Sequence, residues 1–218
     1  MTGAASTDPA PDCPLCPRLV EYRRDNEATY PNYLNAPAPT FGPKTARLLI
    51  VGLAPGLHGA NKTGRPFTGD YAGDLLYDTL AKHGFSKGEY AARADDGLSL
   101  VDAAITNAVR CAPPQNKPVG AEIRACRPFL IAQIDAMPRL AAILCLGRIA
   151  HDSTLKALSQ RQRDAVFAHG ARHSIPGRKF SLFDSYHCSR YNTNTGRLTP
   201  AMFRRVFAAI RDHLDAKG

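Results

Sequence analysis

A buried strand that runs directly into a long glycine-rich loop and then a helix is the feature that most constrains this chain. Residues 48–51 form the apolar run Leu-Leu-Ile-Val, typical of a buried strand, and five glycines follow before position 70. Residues 71–83 then carry apolar side chains at helical spacing. Ligands of α/β proteins bind at such strand ends, so we expect a site in this loop. A surface loop that merely needs turns is the alternative, since neither the Walker nor the dinucleotide-binding glycine motif is present.

Three further apolar runs alternate with helical segments along the chain. The runs occupy residues 103–105, 140–146 and 180–183, and the helical segments occupy residues 17–25, 120–137, 149–167 and 201–214. This alternation predicts an α/β fold, a three-layer α/β/α sandwich around a short, mainly parallel four-stranded sheet. The loops that follow Gly52, Asn107 and Asp184 would then open on one edge of the sheet. We therefore expect the chemistry of the protein at that edge.

Composition bounds the domain organisation and the class of partner. Residues 1–12 are polar and contain proline, so we expect a disordered N-terminal tail, and residues 13–218 are long enough to form a single domain. The formal net charge of +9 favours a polyanionic partner such as nucleic acid. No apolar run approaches the roughly 20 residues that span a bilayer, and no signal-peptide pattern is present. We therefore expect a cytoplasmic protein with no membrane contact.

The cysteines include two candidate metal-binding pairs. Cys13 and Cys16 are separated by two residues, and Cys111 and Cys126 form a second, wider pair. In a reducing compartment such thiols are more often metal ligands than disulfides, so these four could hold an iron–sulfur cluster or zinc. Unrelated thiols are the alternative. Cys145 lies within an apolar run and is expected to pack as a small hydrophobe.

A polar loop over residues 184–198 follows the last predicted strand. It contains His187; a loop histidine is usually solvated, but this one lies next to the expected ligand edge. Arg190, Tyr191 and Asn192 add a cation, an aromatic ring and an amide to the same loop. This mixture is suited to binding phosphates and unstacked bases.

Three segments together resemble the signature regions of one enzyme family. They are GLAPGLHGANKTGRPFTGD after the first strand, TNAVRCAPPQNKP after the second and SYHCSRYNTNTGRLTP after the last. In this order they resemble the family 5 (type B) uracil-DNA glycosylases, the iron–sulfur branch of the uracil-DNA glycosylase superfamily, and the likeness runs from Cys13 to about Phe207. The resemblance implies a DNA repair enzyme that flips uracil out of double-stranded DNA and hydrolyses its N-glycosidic bond, leaving an abasic site. It also implies excision of other deaminated bases such as hypoxanthine and xanthine, by a monomer associated with the nucleoid.

The resemblance also implies roles for individual residues. His187 would donate a hydrogen bond to uracil O2 as negative charge develops there, and Asp70 would orient water or stabilise the oxocarbenium-like sugar. Phe67 would stack on the extruded base, and Asn107 would bind its amide edge. The remaining implied residues line the base pocket (Gly52, Ala54, Gly56, Asn116 and Asn192), contact DNA (Ser189, Arg190 and Tyr191) or hold a structural 4Fe-4S cluster (Cys13, Cys16, Cys111 and Cys126).

Plainer roles and other functions stay open at this point. Phe67 could be a core residue that anchors the loop, Asn107 a strand-end cap and Asp70 the N-cap of the following helix. A family 4 enzyme restricted to uracil is one alternative function, which Leu53-Ala54 disfavours because an acidic residue is missing there. A non-catalytic iron–sulfur or zinc module that binds damaged or single-stranded DNA is the other.

Particular residues distinguish this chain from sister branches of the superfamily. The small Ala54 leaves a roomier pocket, which predicts the broader range of bases. Cys188 stands where sister branches usually have proline, which predicts that the polar loop over residues 184–198, the wedge loop of the family, is less rigid. The basic insertion of the branch that traps DNA covalently is absent between the first two segments, so no cross-linking is expected.

Overall fold

The computed structural model describes residues 6–217, and its centre is a five-stranded sheet. The strands are β1 (Leu48–Gly52), β2 (Ser86–Lys87), β3 (Ser99–Leu100), β4 (Ala103–Asn107), β5 (Ala142–Leu146), β6 (Arg172–Ser174) and β7 (Ser181–Ser185). The order across the central sheet is β4, β1, β5, β7, β6, whereas β2 and β3 pair with each other in a small antiparallel hairpin. Within the central sheet only β6 is antiparallel to its neighbour.

Helices cover both faces of this sheet. Those of the described residues are α1 (Pro17–Thr29), α2 (Ala60–Thr63), α3 (Tyr71–Lys82), α4 (Gly120–Asp135), α5 (Arg148–Ala157), α6 (Arg190–Asn194) and α7 (Pro200–Asp215). Alternate strand residues face opposite layers: Ile50 and Phe183 belong to the core with α3 and α7, whereas Leu49 and Leu182 belong to the core with α4 and α5. The predicted three-layer α/β/α sandwich is confirmed. Across residues 6–217, no helix combines the length and apolar character that crossing a membrane requires.

Parallel pairing aligns the carboxyl ends of the main strands. Gly52 lies opposite Asn107 in the register of β1 and β4, and Leu146 lies opposite Ser185 in that of β5 and β7. Every residue of these four strands is buried, as their apolar runs predict for strands covered on both faces. The loops that follow β1, β4 and β7 therefore leave the sheet at one edge.

The structure adds short elements that the sequence pattern does not reveal. The sheet has five strands rather than the predicted four, because β6 is an edge strand of three half-buried or exposed residues and has no apolar run. The helix predicted over residues 149–167 ends at Ala157. The predicted loop over residues 184–198 contains α6, which begins where the Ser189 side chain accepts a hydrogen bond from the backbone amide of Asn192.

The N-terminal segment is described in part. Residues 1–5 of the tail predicted to be disordered lie outside the described residues. Within residues 6–12, Oδ1 of Asp8 accepts hydrogen bonds from the buried Arg110 side chain (2.7 Å) and from the backbone amide of Thr40 (2.9 Å). This portion of the tail is therefore tied to the domain.

Candidate active site

The loops after β1, β4 and β7 enclose one cavity of about 410 Å³ at the carboxyl edge of the sheet. This volume lies within the range of small-molecule sites. Nine of the residues implied by the family resemblance line it: Ala54, Gly56, Phe67, Asp70, Asn107, Asn116, His187, Ser189 and Arg190. Four further lining residues were not predicted to belong to the site: Leu53, Pro55, Tyr71 and Ala72. Gly52, Tyr191 and Asn192 are not among the lining residues.

Phe67 and His187 stack against each other in the wall of this cavity although 120 positions separate them in the sequence. Their ring centroids are 5.8 Å apart, and the ring planes are inclined by 29°. Phe67 adopts a φ of 58°, in the left-handed region that a residue with a side chain rarely occupies. Its carbonyl oxygen accepts a hydrogen bond from the Tyr90 hydroxyl (3.2 Å), and the Tyr77 hydroxyl donates to the neighbouring Pro66 carbonyl (2.7 Å). The surrounding residues thus hold the loop in the conformation that presents the Phe67 ring.

Arg65 anchors the same loop through an ion pair and a hydrogen bond. Its guanidinium donates two hydrogen bonds to the Asp96 carboxylate (2.7 and 2.6 Å), and its Nε donates to Oγ1 of Thr68 (2.7 Å). The two charged side chains are only 4% and 1% exposed, so each charge is almost fully removed from water and depends on its partner. The hydrogen bonds from Arg65 hold the pKa of Asp96 well below its usual range.

Asn107 ends β4 with an unpaired oxygen in the cavity wall. The residue is 3% exposed, and its Oδ1 is buried without a hydrogen-bond partner among the described residues. Gly52, on the neighbouring strand, leaves room for this side chain, since a Cβ there would overlap Oδ1 of Asn107 and lie 2.8 Å from Cζ of Phe67. A buried acceptor without a partner costs free energy, so this oxygen is suited to receive a donor from a ligand.

Asp70 is the N-cap residue of α3, as one of the alternatives predicted. Its side chain makes no capping hydrogen bond, so the carboxylate is available for another role. The carboxylate instead rests against the chain of the β1 loop, where a Cβ on Gly56 would lie 2.6 and 2.7 Å from its two oxygens and a Cβ on Gly59 would overlap it. Burial raises the pKa of Asp70, and the nearby His58 opposes this effect. The two glycines thus form a cradle that directs the carboxylate to the cavity.

His187 is neutral at physiological pH in this environment. Burial lowers the pKa of its imidazole to about 4. Its backbone carbonyl accepts a hydrogen bond from Nδ2 of Asn192 (2.8 Å), so Asn192 supports the position of His187 from outside the cavity. The imidazole can therefore donate one N–H to a ligand without carrying a positive charge.

The segment after His187 forms the rim of the cavity. Arg190 places its guanidinium 5.1 Å from the centroid of the Tyr71 ring, and Tyr191 is 72% exposed on α6. Cys188, which was expected to loosen this loop, is fully buried, and its Sγ lies 3.4 Å from the carbonyl oxygen of Ala72. The loop is thus attached to α3, and an aromatic side chain projects from it into solvent.

Comparison with known proteins identifies the family. The profile of the uracil DNA glycosylase superfamily matches residues 39–211, most of the chain and all three loops of the cavity. This chain belongs to the uracil DNA glycosylase superfamily. A type-5 uracil-DNA glycosylase of Thermus thermophilus is 44% identical over 199 residues, which cover 89% of this chain and 90% of the relative. A type-5 enzyme of Pyrobaculum aerophilum is 40% identical over 194 residues, covering 86% and 83%.

The type-4 relatives are less similar. A type-4 uracil-DNA glycosylase of Pyrobaculum aerophilum is 33% identical over 180 residues, which cover 81% of this chain and 77% of the relative. The resemblance to the type-5 branch of the superfamily is therefore confirmed.

The four predicted metal-binding cysteines of this superfamily member converge on a second cavity. Cys13, Cys16, Cys111 and Cys126 all line it, together with apolar side chains that include Leu19, Val109 and Phe129. A zinc ion and a four-iron cluster are both held by four thiolates, so this set of donors fits either group. Burial raises the pKa of Cys111 to about 12 and that of Cys126 to about 11, so a bound group must displace their protons.

A buried polar cluster behind β7 was missed in the sequence. Asp184 is fully buried and accepts hydrogen bonds from Nδ1 of His151 (2.7 Å) and Nε2 of His173 (2.9 Å). Because Nε2 of His151 also lies 2.9 Å from the Ala165 carbonyl oxygen, His151 donates from both nitrogens and is a cation. Burial lowers the pKa of His151, but the hydrogen bond and charge of Asp184 outweigh it and raise the pKa overall. The sequence predicts a polar loop that begins at Asp184, so nothing in it marks this residue as a buried charge that needs a partner.

Proposed function

We propose that this protein removes uracil from DNA by hydrolysing the N-glycosidic bond, leaving an abasic site. The observation that carries the proposal is the single cavity that joins an aromatic face, an unpaired amide, a neutral imidazole and a carboxylate: Phe67, Asn107, His187 and Asp70. These groups match the needs of base removal, namely a stacking surface, a reader of the base edge, a donor to the leaving group and a stabiliser of the sugar cation.

Asn107 and Phe67 bind the extruded base. The free Oδ1 of Asn107 accepts the imino N–H of uracil, and its amide nitrogen donates to the adjacent carbonyl oxygen. Hypoxanthine and xanthine present the same pair of groups, a ring N–H beside a carbonyl oxygen. Cytosine and adenine instead present a ring nitrogen that accepts a hydrogen bond beside an amino group that donates one. A cavity of about 410 Å³ also has room for a bicyclic purine. The protein therefore also excises hypoxanthine and xanthine from double-stranded DNA.

His187 stabilises the departing base. Its neutral imidazole donates an N–H to O2 of uracil, where negative charge develops as the glycosidic bond breaks. A donor that is already in place is worth about 10²–10³ in rate. Asp70 acts on the other product, because its carboxylate stabilises positive charge on the sugar or orients the attacking water.

The rim of the cavity contacts the DNA. Ser189 and Arg190 line the opening, and the exposed ring of Tyr191 is placed to fill the space that the extruded base leaves in the duplex. The net charge of +9 supports binding to a polyanion. The protein acts as a monomer on chromosomal DNA, at the nucleoid of the cytoplasm.

A 4Fe-4S cluster held by Cys13, Cys16, Cys111 and Cys126 completes the protein. Four thiols around one apolar-walled cavity, together with the resemblance to the iron–sulfur branch of the superfamily, support this assignment. Bound there, the cluster ties the N-terminal segment and α4 to the loop after β4 and passes no electrons in the reaction. Purified protein should show the brown colour of a four-iron cluster with about four irons and four sulfides per chain. Zinc in place of iron would refute the assignment.

The decisive assay for the function is release of free base from duplexes that each carry one altered base. The wild-type chain should release uracil, hypoxanthine and xanthine. His187→Ala should lower kcat about 10²–10³-fold and keep most of the DNA affinity. His83→Ala, a half-buried histidine that does not line the cavity, is the matched control and should keep wild-type activity. DNA binding without base release would indicate a non-catalytic module, and release of uracil alone would indicate the narrower range of a type-4 enzyme.

A further inference from the structure

Arg110 is a buried cation that lies outside the base cavity and beside the cysteine site. Its side chain is 1% exposed, and a buried charge is tolerated only when it is paired and hydrogen-bonded. Nη1 of Arg110 donates to Oδ1 of Asp8 (2.7 Å) and to the carbonyl oxygen of Ala38 (3.3 Å), and Nη2 donates to the carbonyl oxygen of Thr7 (3.0 Å). Within residues 6–217, the carboxylate that neutralises Arg110 is that of Asp8.

Asp8 also contacts the segment that precedes β1. The same Oδ1 accepts a hydrogen bond from the backbone amide of Thr40 (2.9 Å) and lies 3.2 Å from its hydroxyl. The Thr40 hydroxyl is in turn 3.2 Å from Oγ1 of Thr106, the residue before Asn107 on β4. Oδ1 of Asp8 therefore links the N-terminal segment both to Arg110, which follows β4, and to Thr40, which contacts the end of β4.

The backbone of Arg110 connects the base cavity with the cysteine site. Arg110 follows Asn107 by three residues and directly precedes Cys111. Its amide donates to Sγ of Cys126 (3.3 Å), and its carbonyl oxygen accepts from the amide of Ala38 (2.7 Å). A displacement of Arg110 would therefore reach both sites.

We propose that Asp8 and Arg110 are positioning residues whose ion pair fastens residues 7–13 across the end of β4 and holds Asn107 and Cys111 in place together. Neither residue lines the base cavity, so both act through the segment between Asn107 and Cys111. The effect on base removal rests on the function proposed above, whereas the effect on the cysteine site does not depend on that function. Residues 7–12, which precede the first cysteine, then contribute to the activity of the enzyme.

The test compares Asp8→Asn with Asp12→Asn in the full-length protein as purified with its metal. Both changes remove one carboxylate from the same segment, but Asp12 is exposed to solvent and provides the matched control. Asp8→Glu keeps the charge and tests rescue. Two properties are measured: the rate at which a chelator removes the bound metal, followed by absorbance and elemental analysis, and kcat and KM for release of uracil from a duplex. If Asp8→Asn does not fold, Thr40→Val weakens the same junction and replaces it.

Asp8→Asn is expected to lose metal at least about fivefold faster and to show a kcat lower by about tenfold with KM within about twofold, because a displaced Asn107 affects the reacting geometry. Asp12→Asn should stay within about twofold of wild type in both properties, and Asp8→Glu should recover at least half of the wild-type kcat. If Asp8→Asn matches Asp12→Asn in metal loss or in kcat, the proposal is wrong. If the wild-type chain released no uracil, the proposed function would fail, and the comparison of metal loss alone would decide the role of the ion pair.

Discussion

Adding one methyl group at Gly56 tests how this enzyme positions Asp70. A Cβ there would lie 2.6 Å from one carboxylate oxygen, and ordinary contacts begin near 3.4 Å, so the carboxylate must move by about 0.8 Å. A misplacement of about 1 Å can cost 10²-fold in rate, which corresponds to about 2.7 kcal/mol of transition-state stabilisation. We therefore expect Gly56→Ala to lower kcat for uracil release by about 10²-fold.

Single-turnover release of uracil from a duplex is the assay, with stability followed by thermal unfolding. Gly120→Ala is the matched control, because the nearest atom to its added Cβ is Nη1 of Arg124 at 3.5 Å and the residue lies outside the cavity. It should leave kcat unchanged. A double-mutant cycle with Asp70→Ala locates the effect: if Gly56→Ala acts through the carboxylate, it should cost little further activity once that carboxylate is gone.

Three results would contradict this reasoning. Wild-type kcat in Gly56→Ala would mean that the cradle does not fix the carboxylate. Full additivity with Asp70→Ala would mean that the methyl group acts on something else. An equal loss in Gly120→Ala would mean that the assay reports general destabilisation.

Three further predictions concern charge and stability. The pKa of His187 in the folded protein is about 4, below its unfolded value. The free energy of unfolding should therefore fall by up to about 3 kcal/mol as pH drops from about 6.5 to 4. In thermal melts, His187→Gln should remove that pH dependence. His151 has a raised pKa, so its contribution is present below about pH 6.5 and lost as pH rises through its folded pKa; Asp184→Asn should cost about 3–5 kcal/mol in urea unfolding at pH 6. Arg65→Met should cost a similar amount, about 3–5 kcal/mol, by leaving the buried Asp96 charge unpaired, and a loss under 1 kcal/mol would contradict that account.

Local sequence patterns predict the main strands and the edge of the sheet that carries the site. The runs that became β1 and β5 are apolar without interruption, because strands covered on both faces leave no position for polar residues. Strand β6 has no such run, because it is short and half exposed and forms only by pairing with β7. Helix α6 also has no pattern that predicts it, because its five residues are four polar ones and one exposed tyrosine.

The cavity was predictable in position, and its supporting contacts were not. Strand ends converge by topology, so the meeting of Phe67 with His187 follows from the order of the elements. The orientation of Asp70 depends on where two glycines leave space, and its identity is equally consistent with a helix cap. The pair of Asp8 and Arg110 joins residues 102 positions apart, and no local pattern signals such a contact.

The strained backbone at Phe67 has a consequence for the speed of base capture. Arg65, Tyr77 and Tyr90 fix the loop that carries the ring through contacts within the protein itself. Ordering a mobile side chain on binding costs about 0.5–1.5 kcal/mol. Here the Phe67 ring is ordered when the protein folds, so binding of DNA does not carry that cost. A base that flips out of the duplex thus meets a stacking surface that is already ordered. The rate of base capture then depends on extrusion of the nucleotide from the duplex more than on rearrangement of the protein.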